Sequence, residues 1–480
     1  MDDGTRGEPQ RGDREFRMTD PIAQARTLRT TARGPRVMLV MPPRVASCLQ
    51  PHLGLGILAA RLAASGYSPL VVDYSYAEAL PDIEGFIREF EPHLIGVSMF
   101  SQNLRESERF IEQLNRIRPE VPIIVGGPHP SLADDGEVER IGRLKGVATV
   151  VRGEAERDIV DIAGRVLSDA SPGVVNCGPV SLDGFCWPDF GLVMNGLSLA
   201  TYPIQLSRGC PYRCSFCNIA RMSGRKYRTR AVDDCIDEVG EAVHRYGDLQ
   251  YVKVTDDAPN CLEARFEEFL EKYVERAFRP RLEVMQLRAD HLTLRMCRLM
   301  KAARAPFVCL GVESADPMVF ADVDKGETLE QIERACDHVR SCGIPLVLCF
   351  VLGLPGATRK TDMGSVAFAR RMRPIHCYWN IAQPMPGTRM HEYFTRHGRI
   401  YVDNPMVESS LDGACFADTP EYPRKDRVDV QLIAQAATNA PVRSRWRLLR
   451  QAASRGVVLD VACALLTPRP RISPEIPRRW

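Results

Sequence analysis

The sequence predicts an α/β protein with a doubly wound, Rossmann-like N-terminal domain, a partial (β/α)6 barrel of the TIM type and a mostly helical C-terminal region. Three observations predict this fold. Short apolar runs alternate with amphipathic stretches over residues 37–151, and the alternation resumes with longer units over 204–382. Three closely spaced cysteines follow the first apolar run of the second series. Strand–helix alternation indicates parallel sheets, which bind ligands at the carboxyl ends of their strands.

The composition of the 480-residue chain narrows the function classes. Its hydrophobic share of 45% and charged share of 26% are ordinary for a globular protein. A net charge of +2 argues against a nucleic-acid surface, and no apolar run approaches the ~20 residues that span a bilayer. We therefore expect neither a nucleic-acid nor a membrane partner. The cysteines are scattered along a long chain, which favours reduced thiols in the cytoplasm.

The chain divides into five predicted segments. They are a disordered leader at 1–34, a ligand-binding domain at 35–160, a linker at 161–203, a barrel at 204–390 and a mostly helical region at 391–480. The leader is polar and Arg-rich without apolar periodicity, and the linker is rich in glycine and proline turns.

Five apolar runs predict the strands of the first domain: Val37–Met41, Pro69–Asp73, Leu94–Met99, Val121–Gly127 and Ala148–Val151. Between them, three stretches have helical periodicity: Leu55–Ser65, Ile83–Phe90 and Leu104–Ile117. The loops that follow the strands contain glycines, which allow a bulky ligand to approach the backbone closely. Taken alone, such loops fit a nucleotide or flavin domain equally well.

Six further strands predict the barrel: Ile204–Ser207, Tyr251–Thr255, Leu282–Leu287, Phe307–Glu313, Leu346–Leu352 and His376–Ala382. The helices between them are predicted at Val232–Tyr246, Leu262–Ala277, Leu294–Ala303, Leu329–Cys342 and Lys360–Met372. Barrels of this kind carry their chemistry at the carboxyl ends of the strands.

The loop after the first barrel strand carries Cys210, Cys214 and Cys217 at the spacing C-x3-C-x2-C. Three thiolates can hold three corners of a cubic iron–sulfur cluster and leave its fourth iron open. The alternatives are buried structural thiols or a zinc site, but zinc favours four ligands in paired sets, and no second pair lies nearby.

With Phe216 before the third cysteine, this loop resembles the signature of the radical S-adenosylmethionine (SAM) enzymes. The resemblance implies a 4Fe–4S cluster whose open iron binds SAM. It also implies an external one-electron reductant of the flavodoxin or ferredoxin type. By family motif, the implied SAM contacts are Phe216, Asp256, Asp257, Arg288, Glu313, Ser314, Gly353, Pro355 and Gln383. Helix capping would explain either aspartate as well, and a solvent-facing salt bridge would explain Arg288 nearly as well.

The loops of the first domain are similar to the cobalamin-binding domain that precedes the barrel in one large radical SAM class. The implied cobalamin contacts are His52, Leu53, Gly54, Ser98, Gly126, Gly127, His129 and Glu154. Many cobalamin proteins place a histidine on cobalt through a D-x-H-x-x-G motif. Here position 50 is Gln and position 55 is Leu, so the motif fails. We predict that cobalamin binds without a protein histidine on cobalt.

The resemblance implies a cobalamin-dependent radical SAM methyltransferase, which transfers a methyl group from methylcobalamin to an unactivated carbon after the 5′-deoxyadenosyl radical has abstracted hydrogen from it. A small molecule or a peptide would be the substrate, in natural-product biosynthesis. One alternative is an oxidative cyclase or rearrangement enzyme with the same cofactors. A second is a non-catalytic cobalamin or iron–sulfur sensor, which would need an output module that the sequence does not display.

Overall fold

The computed structural model describes residues 21–43, 50–76, 82–170, 173–194, 196, 199–408, 415–439 and 445–466. Most of the predicted leader (1–20) and the Pro- and Arg-rich end of the chain (467–480) lie outside the described residues. No helix in the described ranges is long and apolar enough to cross a membrane.

A six-stranded parallel sheet forms the N-terminal domain. Its strands are β1 Arg36–Met41, β2 Ser68–Asp73, β3 Leu94–Ser98, β4 Ile123–Gly126, β5 Val147–Gly153 and β6 Gly173–Cys177. Its helices are α1 Pro21–Thr30, α2 Leu53–Ala64, α3 Ile83–Phe90, α4 Leu104–Ile117, α5 Pro128–Leu132, α6 Asp135–Gly142 and α7 Ile159–Leu167. The strand order is β2-β1-β3-β4-β5-β6. The order reverses between β1 and β3, and doubly wound sheets bind ligands at such a point.

Both faces of this sheet are buried, as strand β1 shows. Val37, Leu39 and Met41 belong to one apolar cluster, whereas Met38 and Val40 belong to another on the opposite face. Successive side chains of a strand point to opposite faces, so a run that is apolar at every position predicts a sheet covered on both sides.

The structure corrects two predicted boundaries of this domain. The leader prediction is wrong for α1, which packs on α3 and forms ion pairs from Arg26 to Glu89 (2.8 Å) and from Arg29 to Glu91 (2.6 Å). The few apolar residues of α1 lie between arginines in the sequence, so the helix has only a weak apolar pattern. The linker prediction is wrong for α7 and β6, which complete the sheet. Strand β6 is a half-exposed edge and therefore lacks the apolar pattern of a buried strand.

The strands that follow β6 are β7 Thr201–Ile204, β8 Ser207–Arg208, β9 Arg228–Thr229, β10 Tyr251–Val254, β11 Arg281–Leu287, β12 Val308–Glu313, β13 Leu346–Leu352, β14 His376–Ile381, β15 Arg399–Ile400 and β16 Ala417–Asp418. Six of them form a second parallel sheet in the order β14-β13-β12-β11-β10-β7. The accompanying helices are α8 Ile219–Met222, α9 Val232–Arg245, α10 Glu263–Glu275, α11 Leu294–Ala302, α12 Pro317–Val323, α13 Leu329–Ser341, α14 Arg359–Met372 and α15 Arg389–His397. This arrangement confirms the predicted α/β fold with a partial barrel.

The first barrel strand lies three residues earlier than predicted, at β7 instead of Ile204–Ser207. The carboxylate of Asp256 accepts a hydrogen bond from the Leu206 backbone N–H (2.7 Å) and another from the Ser207 hydroxyl. The chain therefore leaves the parallel ladder after Ile204, and β8 pairs antiparallel with β9.

The C-terminal helices are α16 Pro405–Glu408, α17 Arg424–Thr438, α18 Arg445–Arg455 and α19 Val458–Leu466. Helix α17 packs against α14 and β14, which places the C-terminal region on the open edge of the barrel sheet. Helices α18 and α19 are separated at Gly456, whose φ of +76° lies in the left-handed region that glycine favours.

Candidate active site

A cavity of about 580 Å³ lies between the two sheets. Its N-terminal wall includes the loops at the carboxyl ends of β1, β3, β4 and β5, together with residues of α2 and α7. Its other wall belongs to the barrel and consists of Gln205, Arg208, Met222, Ser223 and Thr255. The cavity therefore lies at the reversal point of the first sheet and opens toward the strand ends of the second.

Seven of the eight sequence-predicted cobalamin contacts line this cavity: His52, Leu53, Gly54, Ser98, Gly126, Gly127 and Glu154. His129 is not among the lining residues. It is buried, and its ring nitrogens lie 2.8 Å from Ser101 Oγ and 3.1 Å from Glu137 Oε1. The structure thus gives His129 a supporting position behind the cavity wall.

His52 caps the N-terminus of α2. Its Nδ1 accepts a hydrogen bond from the Leu55 backbone N–H (3.1 Å), and its own backbone N–H donates to Asp73 Oδ2 (2.8 Å). In a neutral imidazole, an accepting Nδ1 leaves the proton on Nε2, and a protonated nitrogen has no lone pair for a metal. This arrangement supports the prediction that no protein histidine binds cobalt.

The cavity has the shape and the unpaired acceptors that a large ligand with amide side chains requires. A Cβ at Gly126 would meet nothing closer than Val151, at 3.7 Å, so this wall is open to a ligand. Gly127 has a φ of +103°, and a Cβ there would lie 2.9 Å from the Met99 backbone. Gln50 Oε1 and Glu156 Oε2 are buried without a hydrogen-bond partner in the described chain. Corrin amides could donate to these oxygens, so the residues present fit cobalamin.

Glu154 joins the two domains rather than only lining the cavity. Its carboxylate accepts hydrogen bonds from Arg228 (2.5 and 2.7 Å), Arg208 (3.2 Å) and the Val180 backbone N–H (2.9 Å). Burial raises the pKa of Glu154, but these hydrogen bonds and the two arginine charges outweigh it, so the pKa lies below its ordinary value. The carboxylate therefore stays ionised as an interdomain bridge.

The cysteine loop follows β8, close to the cavity. The Cys217 backbone N–H donates to Cys214 O (3.1 Å), and the Ile219 N–H donates to Cys217 Sγ (3.5 Å). The pKa of Cys214 is raised to about 12: burial is the largest cause, the Lys325 ammonium opposes it, and the charges of Cys217, Glu313 and Cys210 add to it. The three thiols are therefore close enough to influence one another, and binding to iron would stabilise them as thiolates.

No three His, Cys, Asp or Glu side chains in the described ranges are grouped as a single metal ion would require. Three half-buried thiols on one loop, with an N–H donor to one sulfur, fit the ligand set of an iron–sulfur cluster. No disulfide joins any of the described cysteines.

The two aspartates after β10 have different surroundings. Asp256 is buried and holds the turn after β7, and burial raises its pKa to about 7. Asp257 is half-buried and accepts a hydrogen bond from the Gly209 backbone N–H (3.3 Å). Asp257 thus contacts the cysteine loop directly, whereas both carboxylate oxygens of Asp256 hold the turn after β7.

Arg288 is buried, not solvent-facing. Its guanidinium lies 2.8 Å from Asp290, 3.5 Å from Glu327 and 3.3 Å from the ring centroid of Tyr212, a residue of the cysteine loop. The surface salt bridge considered from the sequence is therefore excluded, and Arg288 belongs to a charged network under the loop.

The end of β12 belongs to the same network. Lys325 Nζ lies 3.4 Å from Glu313 Oε1 and 3.2 Å from Glu327 Oε2, and it donates to Gly311 O. A Cβ at Gly311 would overlap the Glu313 carboxylate, and Glu313 itself has a φ of +64°. Ser314 is buried directly after it. The charge of the Glu313 carboxylate contributes to the raised pKa of Cys214 and of Cys217, so Glu313 lies in the neighbourhood of the cysteine loop.

The turn after β13 is fixed from the C-terminal region. Gly353 N–H donates to Asp362 Oδ2 (2.8 Å), and Gly353 O accepts from Arg427 (2.9 Å), whose side chain is fully buried. Pro355 is buried in the same turn. Gln383, after β14, and Phe216, in the cysteine loop, are half-buried.

Sequence reasoning missed several residues of this site. Arg208, Gln50 and Glu156 line the cavity, while Glu327 and Arg427 hold the barrel loops. Arg208 could have been found from its place at a strand end, two residues before Cys210. The others have no local signal, because their partners are distant in the sequence.

Two family models match the chain. The B12 binding domain matches residues 45–163, and the Radical SAM superfamily matches residues 204–368. Together they confirm the predicted domain order and cofactor classes.

Curated relatives and solved structures agree with these matches. An uncharacterized methyltransferase of Pyrococcus horikoshii is 24% identical over 78% of this chain and 87% of its own length. The anaerobic magnesium-protoporphyrin IX monomethyl ester cyclase of Rubrivivax gelatinosus is 24% identical over 70% of this chain, which spans 65% of that protein.

The radical SAM methyltransferase TsrM of Kitasatospora setae, solved with tryptophan substrate and a SAM analogue, superposes with a TM-score of 0.68. That match has 18% identity and covers 86% of this chain and 90% of TsrM. The cobalamin-dependent SAM radical enzyme OxsB superposes with a TM-score of 0.59 at 16% identity, over 88% of this chain and 72% of OxsB. These likenesses show a shared fold.

Proposed function

The chain belongs to the cobalamin-dependent radical SAM enzymes, and from that premise we propose that it transfers the methyl group of methylcobalamin to an unactivated carbon. Its cofactors are a 4Fe–4S cluster, SAM and cobalamin. When bound, the cluster with SAM supplies hydrogen abstraction, and cobalamin supplies the methyl group. The observation that carries the proposal is the cavity shared by the N-terminal loops and the barrel residues Gln205, Arg208 and Thr255.

We assign the cluster to Cys210, Cys214 and Cys217. The loop has no fourth thiolate at matching spacing, so a 4Fe–4S cluster held here would leave one iron for SAM. Asp257 and Glu313 are the carboxylates best placed for the SAM ammonium, because both influence the cysteine thiols. Charge-assisted hydrogen bonds of this kind are the strong ones. Asp256 and Arg288 position the loop from below.

The remaining SAM contacts surround this centre in the proposal. They are Phe216, Ser314, Gly353, Pro355 and Gln383. The cobalamin contacts are His52, Leu53, Gly54, Ser98, Gly126, Gly127 and Glu154, with His129 as a support. Glycines at the wall admit the ligand, and Glu154 keeps the two domains together around it.

The barrel interior supports a substrate with polar groups. Lys253 Nζ lies 3.0 Å from Glu283 Oε1 on neighbouring strands, and alternate residues of the edge strand β14, among them Tyr378 and Asn380, are exposed. The names of two relatives specify small-molecule substrates: one is a bacteriochlorophyllide methyltransferase and the other is a hopanoid methylase. We therefore propose a small-molecule or peptide substrate, a role in natural-product biosynthesis and a reducing cytoplasmic setting.

The test is the product balance of the anaerobically reconstituted protein with SAM carrying a deuterated methyl group. Methyl transfer yields S-adenosylhomocysteine and 5′-deoxyadenosine together, with the deuterated methyl group in the product. The cyclase relatives support the alternative of oxidative cyclisation or rearrangement, which yields 5′-deoxyadenosine without S-adenosylhomocysteine. If a protein that contains both the iron–sulfur cluster and cobalamin does not cleave SAM, the proposal is overturned and the non-catalytic sensor is favoured instead.

A further inference from the structure

Basic side chains surround the solvent-facing part of the cysteine loop. Arg213 lies between Cys210 and Cys214 and is exposed, as are Arg225 and Lys226 on the neighbouring segment. That segment packs directly on the loop, because the Cys210 backbone N–H donates to Gly224 O (3.3 Å). With the exposed Arg389, which follows β14, these residues form what we call the basic rim: Arg213, Arg225, Lys226 and Arg389.

Two members of the basic rim hold the loop, and two have no such task. Arg225 donates to Tyr212 O (2.9 Å), while Arg389 donates to Arg213 O (2.6 Å) and pairs with Asp324 (2.8 Å). Within the part of the chain that the structure describes, the side chains of Arg213 and Lys226 form neither a hydrogen bond nor an ion pair. Their positive charges are therefore not used by the fold.

The position of the basic rim follows from which sides of the loop are covered. The N-terminal domain covers one side, where Arg221 donates to Leu132 O (3.0 Å), and Met222 and Ser223 line the cavity. Pro211 and Arg213, by contrast, are exposed, and each is adjacent in the chain to a cysteine of the loop. The basic rim is thus solvent-exposed surface in direct contact with the cysteine loop.

We propose that the basic rim is the docking surface for an acidic one-electron carrier protein that reduces the cluster. One electron passes from the reduced carrier to the oxidised cluster, and no bond of the chain is made or broken. Opposite charges steer such an encounter, and redox complexes bury little surface, so a small charged rim is sufficient. The proposal rests on the cluster in the proposed function and is independent of whether the product is methylated.

The test compares three proteins reconstituted with their cluster: the natural chain, Arg213→Glu/Lys226→Glu, and the control Arg143→Glu/Lys145→Glu. The control makes the same charge change at exposed residues just before β5. These residues lie at the amino end of that strand, whereas the cavity lies at the carboxyl ends of the strands. The rate of cluster reduction by a reduced acidic flavodoxin is followed by stopped-flow absorbance and by the EPR signal of the reduced cluster. Excess dithionite gives the final extent of reduction in each protein.

We expect the rim variant to be reduced by the flavodoxin on the order of tenfold more slowly at low salt, with a weaker salt dependence. The control should match the natural chain, and dithionite should reduce all three fully. Equal flavodoxin rates in the rim variant and the natural chain would overturn the proposal, as would an equal loss in the control. If the double variant fails to hold iron and sulfide, Lys226→Glu, outside the cysteine spacing, is measured in the same way. Failure of dithionite to reduce the natural chain would instead contradict the cluster itself.

Discussion

The two cofactor regions of this protein are built in opposite ways. The cavity wall of the N-terminal domain consists mostly of apolar side chains and glycines, and two oxygens there, Gln50 Oε1 and Glu156 Oε2, are buried without a hydrogen-bond partner among the described residues. Below the cysteine loop, charged groups are dense and paired with one another, as in the network of Arg288, Glu327, Lys325 and Glu313.

The contrast corresponds to the two ligands. Cobalamin is large, so a wall of matching shape with a few hydrogen-bond acceptors can hold it. SAM is small and charged, and its site needs carboxylates that are already ionised and oriented when it binds. Substitutions should therefore affect the first region through shape and the second through charge and ligation, and the following predictions test that difference.

The largest effect is expected from Cys214→Ala. Only two thiolates would remain on the loop, so the cluster should be lost and the yield of 5′-deoxyadenosine should fall to background. Cys463→Ala, at an exposed position of α19, is the matched control and should retain the natural yield. The yield is measured by chromatography after anaerobic incubation with SAM. Unchanged 5′-deoxyadenosine from the Cys214 variant would show that the cluster is held elsewhere.

Gly126→Leu should remove cobalamin without removing the cluster. The side chain would extend into the open wall of the cavity and occupy space that the corrin requires. We expect cobalamin content, read from its absorbance after gel filtration, to fall well below one per chain while iron content stays unchanged. Gly178→Leu is the control, because a Cβ at that exposed glycine meets nothing within 4 Å. Full cobalamin occupancy in the Gly126 variant would show that the corrin does not bind in this cavity.

Glu154→Ala should destabilise the protein by about 3 kcal/mol, because removing one partner of a buried ion pair leaves the other charge uncompensated. Arg208 and Arg228 would both lose their shared carboxylate. Glu139→Ala removes a carboxylate whose partner Arg143 is 79% exposed, and it should cost at most about 0.5 kcal/mol. Denaturant unfolding followed by circular dichroism measures both. Similar losses in the two variants would mean that Glu154 is not an interdomain bridge.

The smallest effect is expected from His52→Ala. The variant loses the cap of α2, at a cost of about 1 kcal/mol, but it should still bind cobalamin. The EPR spectrum of its cob(II)alamin should match that of the natural chain, because no protein nitrogen is removed from cobalt. A changed nitrogen splitting, or loss of cobalamin, would identify His52 as an axial ligand.

The sequence predicted best those features whose signal is local. The cysteine spacing, the glycines after β1 and β4 and the alternation of both sheets lie within short stretches, and the structure places each of them at the carboxyl end of a sheet. Features that depend on distant partners were missed or misread. Asp256 was predicted to contact SAM, and the structure shows its carboxylate accepting a hydrogen bond from the Leu206 backbone N–H, 50 residues earlier. Arg427 donates a hydrogen bond to Gly353 O, 74 residues away in the sequence. Helix α1 and strand β6 were missed because α1 has few apolar residues and β6 is a largely exposed edge strand.

The central claim is that a cluster with one open iron shares a single site with cobalamin. Pulsed EPR on the reduced protein containing both cob(II)alamin and the cluster measures this directly. The claim predicts a dipolar interaction between the two spins, and a change in the cluster signal when SAM is added. A sample loaded with both cofactors that shows two magnetically isolated centres, and no response to SAM, would contradict it.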